Sequence, residues 1–252
     1  MRFRPCIDLH QGQVKQIVGS TLRDGAVPET NFVAEKSSAH FAELYQRDNL
    51  LGGHVIMLGP NNEEAAQQAL AAFPCGLQLG GGINAGNAPQ WIERGAAQVI
   101  VTSYAFRDGR LHHDNLQRVV GAVGRDRLIL DLSCGQRDGR YVVMTDRWQK
   151  ATDFEIDAAH LAFLAESCCE FLIHATDVEG KQQGVDKELI ALLGDIAPIP
   201  TTYAGGVRSL ADIDVINRLG QGKLDFTVGS ALDIFGGTGL CYEILASTNW
   251  AE

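Results

Sequence analysis

The sequence predicts an α/β fold, a single (β/α)8 TIM barrel that occupies residues 1–252 and is built from two half-barrel repeats. The first observation is length, because 252 residues with eight alternating strand and helix patterns match one such barrel. The second is an internal repeat: the glycine turns at Gly82 and Gly206 lie 124 positions apart, and Asp8 and Asp131 lie 123 positions apart. A repeat of this period predicts two similar halves of one domain.

The first half-repeat covers approximately residues 1–124 and contains four strand and helix units. Its strands are continuous apolar runs, which is typical of a parallel sheet that helices cover on both faces. The predicted strands are 4–9, 54–58, 77–79 and 98–101, and the predicted helices are 38–48, 62–73, 87–94 and 115–123. Ser38 and Asn62 are the expected N-caps of the first two helices. The alternating run 14–18 predicts a short hairpin, and the aperiodic segment 21–36 predicts a long loop.

The second half-repeat covers approximately residues 125–252 and has the same order of elements. The predicted strands are 128–132, 171–174, 201–203 and 224–228. The predicted helices are 156–167, one that Asp186 caps, 210–219 and 240–245. Two segments interrupt the alternation: 135–150, with a hairpin pattern around Asp138 and Gly139, and the polar loop 176–184.

Composition narrows the classes of function. A net charge of −10 argues against a nucleic-acid binder, although backbone groups can still hold a phosphorylated substrate. The six cysteines form no C-x-x-C pair, and no histidine cluster accompanies them, so we expect reduced thiols and no metal. No apolar run reaches the length of a membrane span. We therefore expect a cytoplasmic protein that binds neither nucleic acid nor membranes.

Two pairs of strand ends carry the residues expected to hold phosphate. Glycine-rich turns next to helix N-termini expose backbone N–H groups that bind anions, and barrels use adjacent turns in this way. The first candidate set is Gly81, Gly82, Thr102 and Ser103, and the second is Gly205, Gly206, Gly229 and Ser230. Two such sites facing each other predict a small-molecule substrate with a phosphate at each end.

Candidate acid–base groups follow the same strand ends. Asp8 and Asp131 occupy matching positions, where apolar walls raise a carboxyl pKa and suit it to proton transfer. Thr176, Asp177 and Glu179 follow the sixth strand, although each carboxylate there is also consistent with a solvated loop charge. Trp148 is consistent either with stacking on a flat heteroaromatic ring or with anchoring its own hairpin. Because no nucleophile pair, metal set or dinucleotide fingerprint is visible, general acid–base isomerisation without a cofactor fits best.

Several motifs resemble the ProFAR (phosphoribosylformimino-5-aminoimidazole carboxamide ribotide) isomerases of histidine biosynthesis, over nearly the whole chain. The motifs are 6–15, 80–84, 131–133, 204–208 and 229–230, and segments 54–62 and 232–237 are similar to the fungal and plant branch. The resemblance implies an aldose–ketose isomerase, an intramolecular oxidoreductase that converts ProFAR to its ketose isomer PRFAR by an Amadori rearrangement. It also implies a TIM barrel that needs no cofactor.

The resemblance implies a role for each candidate. Asp8 matches the base that removes the C2 proton of the opened aminoaldose and returns a proton at C1, and Thr176 matches an assisting threonine. The general acid stays open among Asp131, Asp177 and Glu179, because the loop from 177 to 180 is shorter than in the common bacterial pattern. Asn84 and Met57 also depart from that pattern.

Two other functions stay open at this point. One is the cyclase subunit of imidazole glycerol phosphate synthase, a sister enzyme with the same half-barrel repeat and paired aspartates. The other is a non-catalytic barrel that binds a bis-phosphorylated sugar. The start at 6–10 and the hairpin around Trp148 favour the isomerase, for which we expect a monomer.

Overall fold

The parallel sheet is formed by apolar runs separated by helices, as the sequence predicts. A computed structural model describes residues 1–18, 21, 29–146, 148–179 and 184–250. The strands in these ranges are β1 Cys6–His10, β2 Gln13–Ile17, β3 Thr30–Val33, β4 Gly53–Met57, β5 Leu77–Gly80, β6 Gln98–Val101, β7 Phe106–Arg107, β8 Arg110–Leu111, β9 Leu128–Asp131, β10 Cys134–Arg137, β11 Arg140–Thr145, β12 Lys150–Glu155, β13 Glu170–His174, β14 Thr201–Ala204 and β15 Leu224–Phe226. The helices are α1 Ser38–Arg47, α2 Glu63–Ala72, α3 Ala88–Glu93, α4 His113–Val123, α5 Ala158–Ala165, α6 Lys187–Ile196, α7 Leu210–Leu219 and α8 Tyr242–Ser247.

Eight of the strands pair in parallel in the order β15-β14-β13-β9-β6-β5-β4-β1. The sheet curls until its first and last parallel strands approach each other. Phe3 and Phe226 form a parallel bridge there. The Arg4 N–H donates to the Phe226 carbonyl at 2.8 Å, and the Phe226 N–H donates to the Arg2 carbonyl at 3.0 Å. The predicted mixed α/β fold with a parallel sheet of eight strands is therefore confirmed.

Side chains alternate between two environments along these strands. Those that point towards the helices form the main core, for example Ile7, Leu79 and Leu130. Those on the concave face form a small separate cluster of Ile100, Ile129, Leu172 and Ala204, against which Ile56 packs. The concave face is thus filled by apolar side chains below the carboxyl ends of the strands.

A buried polar network closes the amino ends of the strands. Glu170 accepts hydrogen bonds from Gln78 at 3.0 Å and from Thr202 at 2.9 Å. The Arg4 guanidinium pairs with Asp225 at 2.8 Å and lies 3.9 Å from Glu170. These groups stabilise the end of the sheet that lies opposite the candidate site.

Several helix boundaries differ from the prediction, and in α1 and α4 a residue other than the predicted one provides the cap. Ser37, not Ser38, caps α1 by accepting from the His40 N–H at 3.4 Å, while the Ser38 hydroxyl donates to the Ala65 carbonyl. The N-cap of α4 is His112, so this helix begins two residues earlier than predicted. The helix predicted at 156–167 is shorter at both ends, and the last helix begins at Tyr242 instead of residue 240.

Asn62 precedes α2 as predicted but does not cap it with its side chain. Its amide oxygen accepts from the Gly12 N–H at 2.8 Å, and its amide nitrogen donates to the Gly59 carbonyl at 2.9 Å. Asn62 therefore ties the turn after β1 to the loop after β4. The side chain of Asn62 thus joins two loops by hydrogen bonds, although the sequence predicted that it would cap α2.

The segments outside the strand–helix alternation have more structure than predicted. Segment 21–36 contains β3, which pairs with β2, while residues 22–28 lie outside the described residues. Segment 135–150 belongs to a three-stranded antiparallel sheet, whose first turn has positive φ at Asp138 and Gly139 as the hairpin pattern predicts. Of the polar loop 176–184, residues 180–183 lie outside the described part of the chain. The predicted strand 224–228 ends at Phe226.

Among the helices in the described ranges, none combines the length and the apolar character that crossing a bilayer requires.

Candidate active site

Two adjoining cavities lie at the carboxyl ends of the parallel strands. With the open space at their mouths included, the larger has a volume of about 1050 Å³ and the smaller about 490 Å³. Asp8, His174 and Glu179 line both cavities. Three ionisable side chains therefore occupy the region that the two cavities share.

The smaller cavity ends at the second pair of predicted phosphate turns. Gly205, Gly206, Gly229 and Ser230 all line it. Gly205 and Gly206 have φ values of +122° and +72°, and a Cβ at Gly206 would collide with the Gly184 carbonyl. Only glycine fits this close approach of two backbone segments.

The larger cavity reaches the first pair of turns. Gly81, Thr102 and Ser103 line it, whereas Gly82 follows in the same turn without being among the lining residues. Gly81 and Gly82 have φ values of +97° and +69°, and a Cβ at Gly81 would collide with the Met57 backbone. Both ends of the combined cavity are thus formed by two successive glycines with positive φ.

Asp8 lies at the carboxyl end of β1, between the two cavities. Burial raises the pKa of its carboxyl, and the charge of Glu179 raises it further. His174 and a hydrogen bond from Gln16 lower the pKa, and the result of all four effects is a pKa of about 7. The Gln16 amide donates to Asp8 Oδ2 at 3.2 Å. A carboxyl group that titrates near neutral pH is suited to removing and returning a proton.

Asp131 lies at the corresponding end of β9 and is buried, with 8% of its surface exposed. Its Oδ1 accepts from the Ser133 hydroxyl at 2.9 Å and lies 3.3 Å from His174 Nδ1, and its Oδ2 accepts from Thr102 at 3.4 Å. The matching positions of Asp8 and Asp131 at predicted strand ends indicated that they share one end of the sheet, and both line the larger cavity. Asp131 is held on both oxygens by protein groups.

His174 is a functional candidate that the sequence reasoning missed. It is the last residue of β13 and lies two residues beyond Leu172, which pairs with Asp131. Side chains two residues apart on a strand point to the same face of the sheet, so His174 points towards the cavities as well. Burial lowers the pKa of its imidazole, but the charge and hydrogen bond of Asp131, with Glu179 and Asp8, outweigh burial and raise the pKa to about 9. Its position at the carboxyl end of a parallel strand was the available signal.

A second histidine in the smaller cavity behaves in the opposite way. His54 is 3% exposed, and burial followed by repulsion from His174 lowers its pKa to about 3. It is therefore neutral near pH 7.

Glu179 is the carboxyl group of the sixth-strand loop that reaches the cavities. Burial raises its pKa, His174 opposes this shift, and Asp131 adds to it. Asp8, Asp131 and Glu179 therefore surround one imidazole. The structure thus brings together three predicted residues, which are Asp8, Asp131 and Glu179. His174, which was not predicted, lies among them.

Thr176 and Asp177 point elsewhere and line neither cavity. The Thr176 hydroxyl donates to the Cys134 carbonyl at 3.0 Å. Asp177 accepts from the Gln136 N–H at 2.9 Å and lies 3.8 Å from Arg137. Both side chains fasten the loop after β13 to β10, which gives them a structural role in this conformation.

Trp148 lines the larger cavity on the hairpin between β11 and β12. Its ring centroid lies 6.2 Å from that of His174, with the planes tilted by 39°. The indole thus stands beside the ionisable cluster, where it can contact a planar ligand. Within the described part of the chain, no lysine or arginine lines either cavity.

The fold and the site define an α/β protein whose parallel strands present a cluster of proton-exchanging side chains between two glycine turns. The chain belongs to the histidine biosynthesis protein family, whose model matches residues 2–237. This finding agrees with the resemblance carried by the sequence motifs.

Individual relatives cover nearly the whole chain. A protein from Medicago truncatula is named 1-(5-phosphoribosyl)-5-((5-phosphoribosylamino)methylideneamino) imidazole-4-carboxamide isomerase, chloroplastic. It is 52% identical to this chain over an alignment of 256 positions that covers 99% of this chain and 82% of the relative. A protein of the same enzyme name from Neurospora crassa is 52% identical over 244 residues, 95% of each chain. One from Saccharomyces cerevisiae is 44% identical over 250 residues, 96% of this chain and 95% of the relative. The similarity to fungal and plant proteins is confirmed.

Proposed function

We propose that this chain is the isomerase of histidine biosynthesis that converts ProFAR to PRFAR. Relatives from a plant and from fungi that cover most of the chain carry the name of this isomerase. The observation in the structure that supports it best is the position of Asp8, shared by two cavities that each end in a glycine turn. A substrate with two phosphates would place its middle at this carboxyl group.

The reaction is an aldose–ketose isomerisation and needs a base that also acts as an acid. An acid first protonates the ring oxygen of the ribosylamine, and the bond from C1 to that oxygen breaks to leave a protonated imine. Asp8 then removes the C2 proton and delivers a proton to C1, while the C2 hydroxyl loses its proton and becomes the ketone. A pKa of about 7 lets Asp8 perform both transfers near neutral pH.

The remaining predicted residues receive roles in binding. We assign one phosphate to the turn with Gly205 and Gly206 and to the strand end with Gly229 and Ser230. We assign the other phosphate to the matching set of the first half: Gly81, Gly82, Thr102 and Ser103. Trp148 would contact the imidazole carboxamide ring. Backbone N–H groups in turns of positive φ can hold these anions without nearby lysine or arginine.

We also propose that residues 1–252 form one closed (β/α)8 barrel of two half-barrel repeats. The backbone hydrogen bonds of Phe226 with Arg4 and with Arg2 support closure. The repeat is supported by the paired positive-φ glycines in both halves and by an antiparallel strand pair after each of β1 and β9, which is β2 with β3 in the first half and β10 with β11 in the second. A crystal structure in which the two end strands are separated would contradict closure.

The alternatives differ in measurable ways. The cyclase subunit would require a lysine-rich mouth, and the described residues that line the cavities include no lysine. A non-catalytic barrel would bind the bis-phosphorylated ligand without exchanging its C2 proton. Both alternatives are weaker than the isomerase because the relatives carry the isomerase name.

The test is a spectrophotometric assay with ProFAR, coupled to the next enzyme of the pathway. We expect turnover by the wild-type protein and a loss of at least about 100-fold in Asp8→Asn, because that variant lacks the proton acceptor. Asp153→Asn, which changes a surface partner of Arg110, is the matched control and should keep wild-type turnover. Binding of bis-phosphorylated ligands without any wild-type turnover would contradict the isomerase and favour the alternatives.

The cytoplasmic location, the monomeric state and the lack of a cofactor stay predictions. Light scattering after gel filtration would measure the mass. Exhaustive dialysis against a chelator with full retention of activity is the expected result for an enzyme without a metal.

A further inference from the structure

The acid that opens the sugar ring has more than one candidate among the cavity residues. It must reach a point close to Asp8, and it must be protonated while Asp8 is ionised. His174 meets the first requirement because it lines both cavities together with Asp8. Its imidazole offers a second nitrogen, Nε2, when Nδ1 is held by Asp131 at 3.3 Å.

We propose that His174 is the general acid of the reaction and that Asp131 is the residue that positions its ring. The proposal rests on the isomerase function proposed above. Asp131 has both oxygens engaged by Ser133, Thr102 and the imidazole, so it is placed as a partner and not as a donor to a ligand. An aspartate that fixes the orientation of a catalytic imidazole has the same geometry in hydrolytic triads.

The surroundings of His174 favour its charged form. Ionisable groups face it from four elements: Asp8 on β1, His54 on β4, Asp131 on β9 and Glu179 after β13. Three of these are carboxyl groups, and His54 is the neutral exception because burial lowers its pKa to about 3. The pKa of His174, about 9, lies above that of Asp8, about 7, so between these values the acid is protonated and the base is ionised.

The proton transfers balance over one cycle. Protonated His174 gives its Nε2 proton to the ring oxygen, and the bond from C1 to that oxygen breaks to leave a protonated imine and a C4 hydroxyl group. Asp8 takes the C2 proton and the resulting enaminol forms. Asp8 then delivers a proton to C1, and the C2 hydroxyl proton passes to neutral His174 as the ketone forms. Both residues return to their starting states, as a reaction without a co-reactant requires.

The experiment compares wild-type protein with His174→Asn over pH 6 to 10. Asparagine keeps an N–H donor near the place of Nδ1 and removes the nitrogen that would donate the proton. We expect kcat/KM of the wild type to rise through about pH 7 and to fall through about pH 9. In His174→Asn we expect kcat to fall about 100- to 10,000-fold and the alkaline fall to disappear.

Three comparisons separate this role from a structural one. His160→Asn changes another histidine held by an aspartate, Asp157 at 2.8 Å, and should retain wild-type activity because it lies outside the cavities. His174→Asn and the second variant His174→Gln should bind a reduced, non-isomerisable analogue of the ketose within about threefold of wild type. Glu179→Gln should keep the alkaline fall.

Turnover in His174→Asn within threefold of wild type, or an unchanged alkaline fall in both His174 variants, would overturn the assignment. An alkaline fall that vanishes only in Glu179→Gln would overturn it in favour of Glu179. Failure of the proposed function gives a different result, because the wild-type protein itself would then lack turnover.

Discussion

The ionisation of Asp8 should destabilise the folded protein, and Asp8→Asn should relieve that effect. Burial and the charge of Glu179 raise the pKa of this carboxyl from 3.8 to about 7. The folded state therefore binds the Asp8 proton more tightly than the unfolded chain does. Asparagine has nearly the same shape, keeps an oxygen for the Gln16 amide and never ionises.

The sign and the size follow from proton linkage. For a group whose folded-state pKa is raised, the stabilisation is complete below the unfolded pKa and is lost as pH rises through the folded pKa. Asp8 therefore costs the wild type stability between about pH 4 and pH 7. The difference between 3.8 and about 7 corresponds to about 4 kcal/mol at most. Partial exposure of the carboxyl at the cavity wall reduces this, and we expect about 2 kcal/mol.

The assay is thermal unfolding of the wild type and Asp8→Asn, followed by circular dichroism at several pH values from 4 to 8. The quantity of interest is the difference between the two midpoints, because the other titrating groups largely cancel. We expect this difference to shift by about 4–8 °C in favour of Asp8→Asn between the two ends of the range. The same variant should have lost its turnover.

Asp153→Asn serves as the control, because the Asp153 side chain is 62% exposed and pairs with Arg110 at 3.4 Å. Its midpoint difference from wild type should stay nearly constant with pH, since exposed pairs contribute little. A difference that is equally constant for Asp8→Asn would refute the raised pKa of Asp8. It would also remove the physical basis for treating this residue as a base near neutral pH.

Two further predictions concern the cavity wall and the closed end of the sheet. In calorimetry, Gly81→Ala should lose at least about tenfold in affinity for a bis-phosphorylated ligand. The new Cβ would collide with the Met57 backbone, and the φ of +97° at this position is unfavourable for alanine. The control is Gly121→Ala in α4, which has open space around the new Cβ and should bind the ligand normally. In urea titrations, Glu170→Leu should lower the free energy of unfolding by about 2–4 kcal/mol, because it leaves the buried donors Gln78 and Thr202 without their acceptor. The kcat of this variant should stay at the wild-type level at low temperature. A loss of kcat without a loss of stability would place Glu170 in the chemistry instead.

The eight parallel strands were predictable because each contains a short apolar run that ends near glycine or a polar residue. The pairing of glycine turns at a fixed spacing also indicated that two similar sites share one end of the sheet. Local sequence does not determine which of two adjacent serines caps a helix. Ser38 is drawn away by the Ala65 carbonyl, 27 positions along the chain, which leaves the cap to Ser37.

The candidate site was predictable where side-chain direction follows strand alternation, and it was not predictable in the loops. Asp8 and Asp131 end parallel strands, so their common end of the sheet follows from the topology. Thr176 and Asp177 follow the last residue of β13, where alternation no longer applies, and their contacts with Cys134 and Gln136 turn them from the cavities. His174 also ends a parallel strand, so the same strand-end rule applies to it.

The shared properties of the ionisable cluster fit an isomerase better than the properties of any one residue. Three carboxyl groups surround one imidazole that is charged near neutral pH, and no lysine or arginine of the described residues lines the cavities. Burial makes it costly to ionise every carboxyl at once, so the cluster retains a proton that a simple surface group would release. Burial and the charge of Glu179 raise the pKa of Asp8 to about 7, so its proton is available for transfer near neutral pH. Because an isomerisation moves protons within the substrate and consumes none, a cluster that holds a fixed number of mobile protons supplies what the reaction needs.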